Sequence, residues 1–172
     1  TGESAARIAE ALDIPHRIVE AGDSFRREVV DPFLRAYREG RTPNPCADCN
    51  RSIKFGLLMD AAAEWVGDAR VLVATGHYAR ILRTPSGARL ARALDEVRDQ
   101  SYFLCDIDRV RLERVRFPLG ELTKLQVREI ARDAGLPAAE RPDSMEVCFL
   151  AGTDYREWVG DAGPGPIRDE KG

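Results

Sequence analysis

Two cysteine signals about a hundred residues apart carry the chemistry of this chain: Asn44-Pro45-Cys46-Ala47-Asp48-Cys49-Asn50, and Asp143-Ser144-Met145-Glu146-Val147-Cys148-Phe149. A thiolate is a strong nucleophile, a sulfur carrier and a soft metal ligand. A Cys-x-x-Cys in a turn plus a third cysteine among polar residues therefore points to redox or sulfur chemistry. Half of a zinc site is the competing reading, but it calls for a second close pair downstream, and the sequence has none. Cys105, in Tyr102-Phe103-Leu104-Cys105, is expected to be a small buried hydrophobe. For Cys148 the spacing leaves core packing and function both open. His77 reads as a turn histidine or a catalytic base, and His16 as structural. Arg109, Arg111, Arg114 and Arg116 read as a solvated helix face or an RNA contact.

These residues need elements to hold them. Ala5, Ile8, Ala9 and Leu12 recur at helical spacing, and Ile14-Pro15 stops that helix before an expected strand over His16 to Glu20. A second helix is expected from Phe25 to Arg38, with Pro32 as a point of kinking and Gly40 as its stop. The cysteine turn follows, and Ile53, Phe55 and Leu57 to Ala63 suit a third helix. Val71-Leu72-Val73-Ala74 is an all-apolar run typical of a buried parallel strand, ending in Thr75-Gly76-His77-Tyr78. Ligands of open α/β sheets collect beyond the carboxyl ends of strands, so this turn is well placed to approach a nucleotide. Pro85-Ser86-Gly87 marks a hairpin, and Phe117-Pro118-Leu119-Gly120 a junction. Thr123 and Gln126 form a capping box for a helix through Ala134. Cys148 falls on a loop-to-strand segment, and Gly163-Pro164-Gly165-Pro166 closes the chain in turns.

Composition sets the class. With 172 residues, 44% hydrophobic and 32% charged, the chain can bury one core, or one core with a small appendage. No apolar run approaches the roughly 18–20 residues that span a bilayer, and no signal-peptide pattern opens the sequence, so a cytoplasmic location is expected. Four irregularly spaced cysteines suit catalysis or metal binding in a reducing compartment better than a disulfide scaffold. A net charge of -3 argues against nonspecific nucleic-acid binding and leaves room for a local basic groove.

The string Gly40-Arg41-Thr42-Pro43-Asn44-Pro45-Cys46-x-x-Cys49-Asn50-Arg51-x-Ile53-Lys54-Phe55-Gly56 resembles the tRNA-specific 2-thiouridylase family (MnmA/TrmU). Four further segments match it in order: residues 74–80, 99–104, 117–124 and 143–149. The resemblance covers nearly the whole chain. It implies an α/β PP-loop fold, Rossmann-like and of the adenine nucleotide alpha hydrolase type, and an ATP-dependent 2-thiolation of the wobble uridine of tRNA. The family's Ser-Gly-Gly-x-Asp-Ser phosphate loop is missing from this sequence, so the chain reads as a fragment without the first strand of its sheet. An exposed sheet edge is the expected consequence. Residues 1–116 are expected to form a partial nucleotide-binding catalytic domain, and 117–172 part of a central tRNA-binding domain that leads into an absent C-terminal barrel.

The resemblance also assigns roles. Uridine O2 leaves poorly, so the family adenylates it with ATP, with Mg2+ in attendance, and a protein persulfide displaces AMP. Cys148 corresponds to the persulfide carrier and Cys49 to its catalytic partner, able to form a disulfide with it. Both thiolates are expected to need a lowered pKa, with Arg51 and Lys54 as charge donors and a helix start behind Cys49. Gly76 corresponds to an ATP-contacting glycine. Asn44, Pro45 and Cys46 correspond to the segment touching the target base, and Arg98, Asp99 and Gln100 to a tRNA-contacting segment. Cys46 is a departure, since many members carry Asp there. Cys46, Cys49 and Cys148 together supply three ligands for a 4Fe-4S cluster, an alternative to the persulfide route. A sulfur donor, either a cysteine desulfurase or a sulfur relay protein, is implied as a partner beside tRNA. A noncatalytic metal or iron-sulfur module and another PP-loop adenylating enzyme are the rival readings.

Overall fold

A computed structural model of the chain describes residues 2–136, 147–150, 152 and 154–160. The expected polar stretch 143–146 and the closing turns at 163–166 lie outside the described residues. Helix α1 is Gly2–Ala11. Helix α2 runs over 22–38, built from an α-helical turn Gly22–Phe25, a π-helical turn Arg26–Val30 and an α-helical stretch Asp31–Arg38. Pro32 explains the widened turn, because a proline ring crowds the carbonyl four residues earlier. The Asp31 backbone N–H accordingly donates to the Arg26 carbonyl, five residues back, and the helix passes the proline without stopping.

Helix α3 runs over 45–66 in the same three-part manner: Pro45–Asp48, a π-helical Cys49–Leu57, and Leu58–Val66. The cysteine pair therefore lies on a helix and not in a turn as expected. Asn44 is the N-cap, its side chain accepting from Ala47 N at 3.2 Å, and Pro45 fills the first helical position, where a missing N–H costs nothing. Phe55 and Met59 are 0% exposed and join Leu104, Ile107, Leu112 and Val115 in the main core.

Strand β1, Val73–Ala74, pairs in parallel with β4, Val115–Arg116. Between them β2, Ala79–Thr84, and β3, Gly87–Arg92, form the expected hairpin across Pro85-Ser86. Gly87, at φ +102°, takes the backbone position that closes the loop. The parallel strand was expected to be buried on both faces, but Leu72 and Ala74 are exposed, because the described sheet is two strands wide and covered on one side only. Residues 16–20 form no strand. A strand needs a neighbour for its N–H and C=O groups, and Ile18 stands 67% exposed with no partner strand among the described residues.

Beyond a 3-10 turn at Ser101–Leu104, helix α4 is Arg109–Leu112, α5 is Lys124–Asp133 and α6 is Tyr155–Val159. The capping box Thr123/Gln126 is present at the start of α5. The arginine run ties elements together. Arg111 clasps Asp60 at 2.8 and 2.9 Å and donates to the Phe55 carbonyl, Arg109 donates to Ser86 O, and Arg114 donates to Ala69 O. Cys105 corrects the sequence reading. It is exposed, since it caps the 3-10 turn facing out while Leu104 takes the core position.

The junction Phe117–Gly120 straps across the hairpin, with Leu94 N donating to Gly120 O at 2.9 Å. A Cβ at Gly120 would lie 1.9 Å from the Ala79 carbonyl oxygen, a clash with backbone that no rotamer relieves. Gly120→Ala is expected to lower Tm by roughly 5–10 °C, as overpacking of a rigid backbone contact does. A thermal melt within about 2 °C of the parent would contradict this packing.

Candidate functional site

The start of α3 forms one wall of a cavity of about 500 Å³. Thr42, Pro43, Asn44 and Pro45 lead into it, and Cys46, Asn50 and Lys54 follow along the helix. A four-residue step overshoots one turn of a helix of 3.6 residues per turn and falls short of a wider π turn, so a helix that passes from the first winding to the second brings the steps back toward one face. The π-helical winding of 49–57 thus aligns 50 and 54 with 46. Gly56 accommodates that winding, because a Cβ there would approach the Arg51 carbonyl to 3.0 Å. The opposite wall comes from His77 after β1, from Gln100, Tyr102 and Phe103, and from Val147.

Val147 lines the cavity, and its neighbour Cys148 lies near enough to Cys46 and Cys49 for their charges to interact. Phe149 fixes that segment, packing edge-on against Phe25 at 5.7 Å and Phe33 at 5.2 Å, with Trp158 at 6.0 Å. Residues 148–150 form a turn and not the start of a strand, with Leu150 N donating to Val147 O. Cys148 and Cys46 are exposed and Cys49 is half-buried, and all four cysteines are free thiols.

The three thiols feel one another. Burial first, then repulsion from Cys148, pushes the Cys46 thiol up, and Lys54 partly offsets this. At Cys49 burial again leads in raising the pKa, Lys54 opposes it, and Cys148 and Cys46 add to it. The expectation of a lowered pKa is corrected for Cys49. Cys49 lies within the helix and not before it, so the N-terminal dipole is weak there. Arg51 is spent on Asp48, at 3.2 Å. Lys54 is the cation that acts on the thiols.

Lys54 is itself held. Its Nζ donates to His77 Nε2 at 3.3 Å, which leaves the ring proton on Nδ1 to donate to Thr75 Oγ1 at 2.8 Å. Burial, with the Lys54 charge second, lowers the His77 pKa to about 4. His77 is a neutral acceptor that positions Lys54, closer to the structural reading of this residue than to a base.

Asn50, missed as a site residue in the sequence, is 2% exposed. Its Nδ2 donates to the Phe103 carbonyl at 2.8 Å, which fixes the amide's orientation. Oδ1 is closed to water and has no hydrogen-bond partner among the described residues. A buried acceptor left unpaired costs about 1–3 kcal/mol, so it calls for an explanation. The four-residue repeat 46-50-54 was the signal available.

The other expected site residues divide. Asn44, Pro45, Cys46 and Gln100 line the cavity. Gln100 Oε1 accepts from Tyr78 N at 2.9 Å. Asp99 serves the loop, accepting from Ala93 N at 2.8 Å and Ser101 Oγ at 2.7 Å with Arg92 alongside, and Arg98 does not line the cavity. Gly76 lies between β1 and His77. A Cβ there would meet only Leu119 at 3.7 Å, and the backbone is not left-handed, so neither crowding nor conformation requires glycine. Among the described residues no three His, Cys, Asp or Glu side chains are gathered closely enough to hold a metal ion. No helix among them is long and apolar enough to cross a membrane.

Comparison with known proteins gives this arrangement its class. Residues 2–152 match the family model described as the tRNA methyl transferase HUP domain, and the chain belongs to that family. The HUP domain is the PP-loop, Rossmann-like α/β fold expected from the sequence. Among curated proteins, the chain is 47% identical over 174 residues to a tRNA-specific 2-thiouridylase of Syntrophus aciditrophicus, covering 99% of this chain and 46% of that protein. It is 48% identical over 177 residues to one of Desulforudis audaxviator, covering 98% and 50%, and 46% identical over 159 residues to one of Acidithiobacillus ferrooxidans, covering 92% and 44%. The chain spans about half the length of the curated relatives it matches.

Two measurements test the electrostatics. Lys54→Gln removes the cation opposing the raised Cys49 pKa, so alkylation of Cys49 at pH 8 should slow by about fivefold. An unchanged rate would mean that Lys54 does not act on the thiol. His77 titrates near 4 folded against 6.5 unfolded, so between those values the unfolded chain binds more protons. Its contribution to stability is complete above pH 6.5 and is lost as pH falls toward 4. His77→Gln should flatten the fall in Tm across that window, and an identical pH profile would contradict the burial of a neutral ring.

Proposed function

We propose that the protein carrying this chain is a tRNA uridine 2-sulfurtransferase, which uses ATP to replace the O2 of a tRNA uridine with sulfur. The observation that carries the reading is that Cys148 lies near enough to Cys46 and Cys49 for their charges to interact, next to a cavity lined by amides and aromatic rings. The family description names a methyl transferase, whereas the thiols and the thiouridylase relatives favour sulfur.

ATP with Mg2+ is a substrate here, and its chemistry is to turn the 2-oxygen into a leaving group. Gly76 fits a nucleotide contact, since no demand of the protein itself explains the missing side chain. Cys148 takes sulfur from a cysteine desulfurase or a sulfur relay protein and holds it as a persulfide. Its exposure suits an encounter with another protein. The terminal sulfur attacks C2 and the oxygen departs with AMP. Cys49 thiolate then attacks the Cys148 sulfur, which breaks the S–S bond, leaves sulfur on the base and forms a Cys49–Cys148 disulfide. A two-electron thiol reductant resets the pair. The raised pKa keeps the resting Cys49 thiol protonated, and Lys54 stabilises the thiolate when it forms. No step is derived through a 4Fe-4S cluster on Cys46, Cys49 and Cys148, because those residues are not gathered as a metal site. Asn44, Pro45, Cys46 and Gln100 contact the target base, with Arg98 and Asp99 shaping the adjoining tRNA contact. The division into residues 1–116 and 117–172 is part of the same proposal.

Cys49→Ser and Cys148→Ser in the full-length protein should each abolish 2-thiouridine while tRNA binding stays within about threefold of the parent. Mass spectrometry of digested tRNA reads the product. Near-normal thiolation in either variant would remove that cysteine from the mechanism.

A further inference from the structure

Tyr102 lines the cavity and is nevertheless 69% exposed, which places its ring at the rim and not in the interior. The turn that carries it is held from several sides. Gln100 N donates to the Tyr78 carbonyl at 2.8 Å, and Gln100 Oε1 accepts from Tyr78 N at 2.9 Å. Ser101 Oγ donates to Asp99 at 2.7 Å, and the Phe103 carbonyl accepts from Asn50 Nδ2 at 2.8 Å. Leu104, 1% exposed, makes the turn's contact with the core, so the packing of the fold does not call for an aromatic ring at 102. Among the described residues that ring meets Phe103, with centroids 5.7 Å apart and planes at 72°. An edge-on contact of this kind engages at most one face of the tyrosine ring and leaves the other open.

An open aromatic face on a fixed turn is a platform for a flat ring, and every nucleobase has a π-face that stacks on one. Because the mount is already rigid, little freedom is lost on binding. The adenine of ATP is the other flat ring in the proposed reaction. Gly76, its proposed contact, does not line this cavity, whereas Gln100, a proposed RNA contact two residues from Tyr102, does. A target base inside the cavity leaves the next nucleotide of the strand at the rim, where Tyr102 stands.

We propose that Tyr102 is a stacking platform for RNA, its open face receiving the base next to the target nucleotide while the target base occupies the cavity. The proposal rests on the uridine chemistry proposed above and names the side chain that holds the neighbouring nucleotide, so that the target stays extruded from the loop.

The test uses the full-length protein and anticodon stem-loop RNAs with 5-iodouridine at the target position or at either neighbour. Irradiation joins 5-iodouridine to an aromatic ring stacked on it, and peptide mapping identifies the ring. A crosslink to Tyr102 from a neighbouring position is expected, and none from the target position. In equilibrium binding, Tyr102→Ala should weaken the stem-loop complex about tenfold, while Tyr102→Phe, which keeps the ring, stays within about twofold of the parent. Both variants should melt within about 2 °C of the parent, because the side chain is exposed. The proposal is overturned if neither neighbour crosslinks to Tyr102, if the target position alone does, if Tyr102→Ala binds RNA like the parent, or if Tyr102→Phe binds as weakly as Tyr102→Ala. A loss of ATP affinity in place of RNA affinity, read by calorimetric titration, would assign the ring to adenine and overturn it too. The crosslink in the parent protein decides alone if a variant fails to fold. Thiolation of the uridine loop is measured in parallel: Tyr102-dependent RNA binding without 2-thiouridine would leave the platform standing and sink the sulfur-transfer reading.

Discussion

The arrangement depends on how helix α3 is anchored. Its middle is fixed in the core by Phe55 and Met59, and its amino end projects Cys46, Asn50 and Lys54 into the cavity. A side chain's position at one end of a rigid rod is only as good as the burial at the other. Arg111 strengthens that grip, joining the carbonyls of Phe55 and Gly56 and the carboxylate of Asp60 to the chain segment that leads into β4. The parallel pair β1–β4 in turn sets His77 opposite Lys54. Core, helix winding and site are therefore one mechanical unit.

Within that unit the polar groups are arranged by what they cannot do. His77 cannot hold a proton at neutral pH and so accepts from Lys54, leaving the ammonium as the charge near the thiols. Raised pKa values keep the Cys46 and Cys49 thiols protonated at rest until a reaction partner and the Lys54 charge favour the thiolate. Asn50 cannot rotate, because its NH2 is tied to the Phe103 carbonyl. Each restriction removes an alternative state and leaves the site with a defined chemical character.

Much of the fold was legible in the sequence, because its signals are local. Thr123 and Gln126 sit three apart before a periodic run, and Pro85-Ser86-Gly87 separates two short apolar segments, so the helix start and the hairpin could be read directly. Asn44-Pro45 carried an equally local signal, N-cap followed by proline at the first helical position, but the cysteines drew the reading toward a turn. The strand expected at 16–20 failed because pairing depends on a neighbour that residues 16–20 do not name. Cys105 failed because an apolar neighbourhood in sequence does not fix which side of a 3-10 turn a residue faces. At the site, the cysteines, Asn44 and Gln100 were named by motif, and of these Asn44, Cys46 and Gln100 line the cavity. Asn50 was not, since its importance comes from a carbonyl 53 residues away and an oxygen left unpaired.

The central claim is that the segment 147–150, held by Phe149, delivers Cys148 to the thiols at the start of α3. Mild oxidation of the full-length protein with diamide, followed by peptide mapping, tests this most directly. Disulfide linkage of Cys148 to Cys49 or Cys46 is the predicted result, with Cys105 left unlinked. Cys148 remaining free, or pairing with Cys105 instead, would contradict the account.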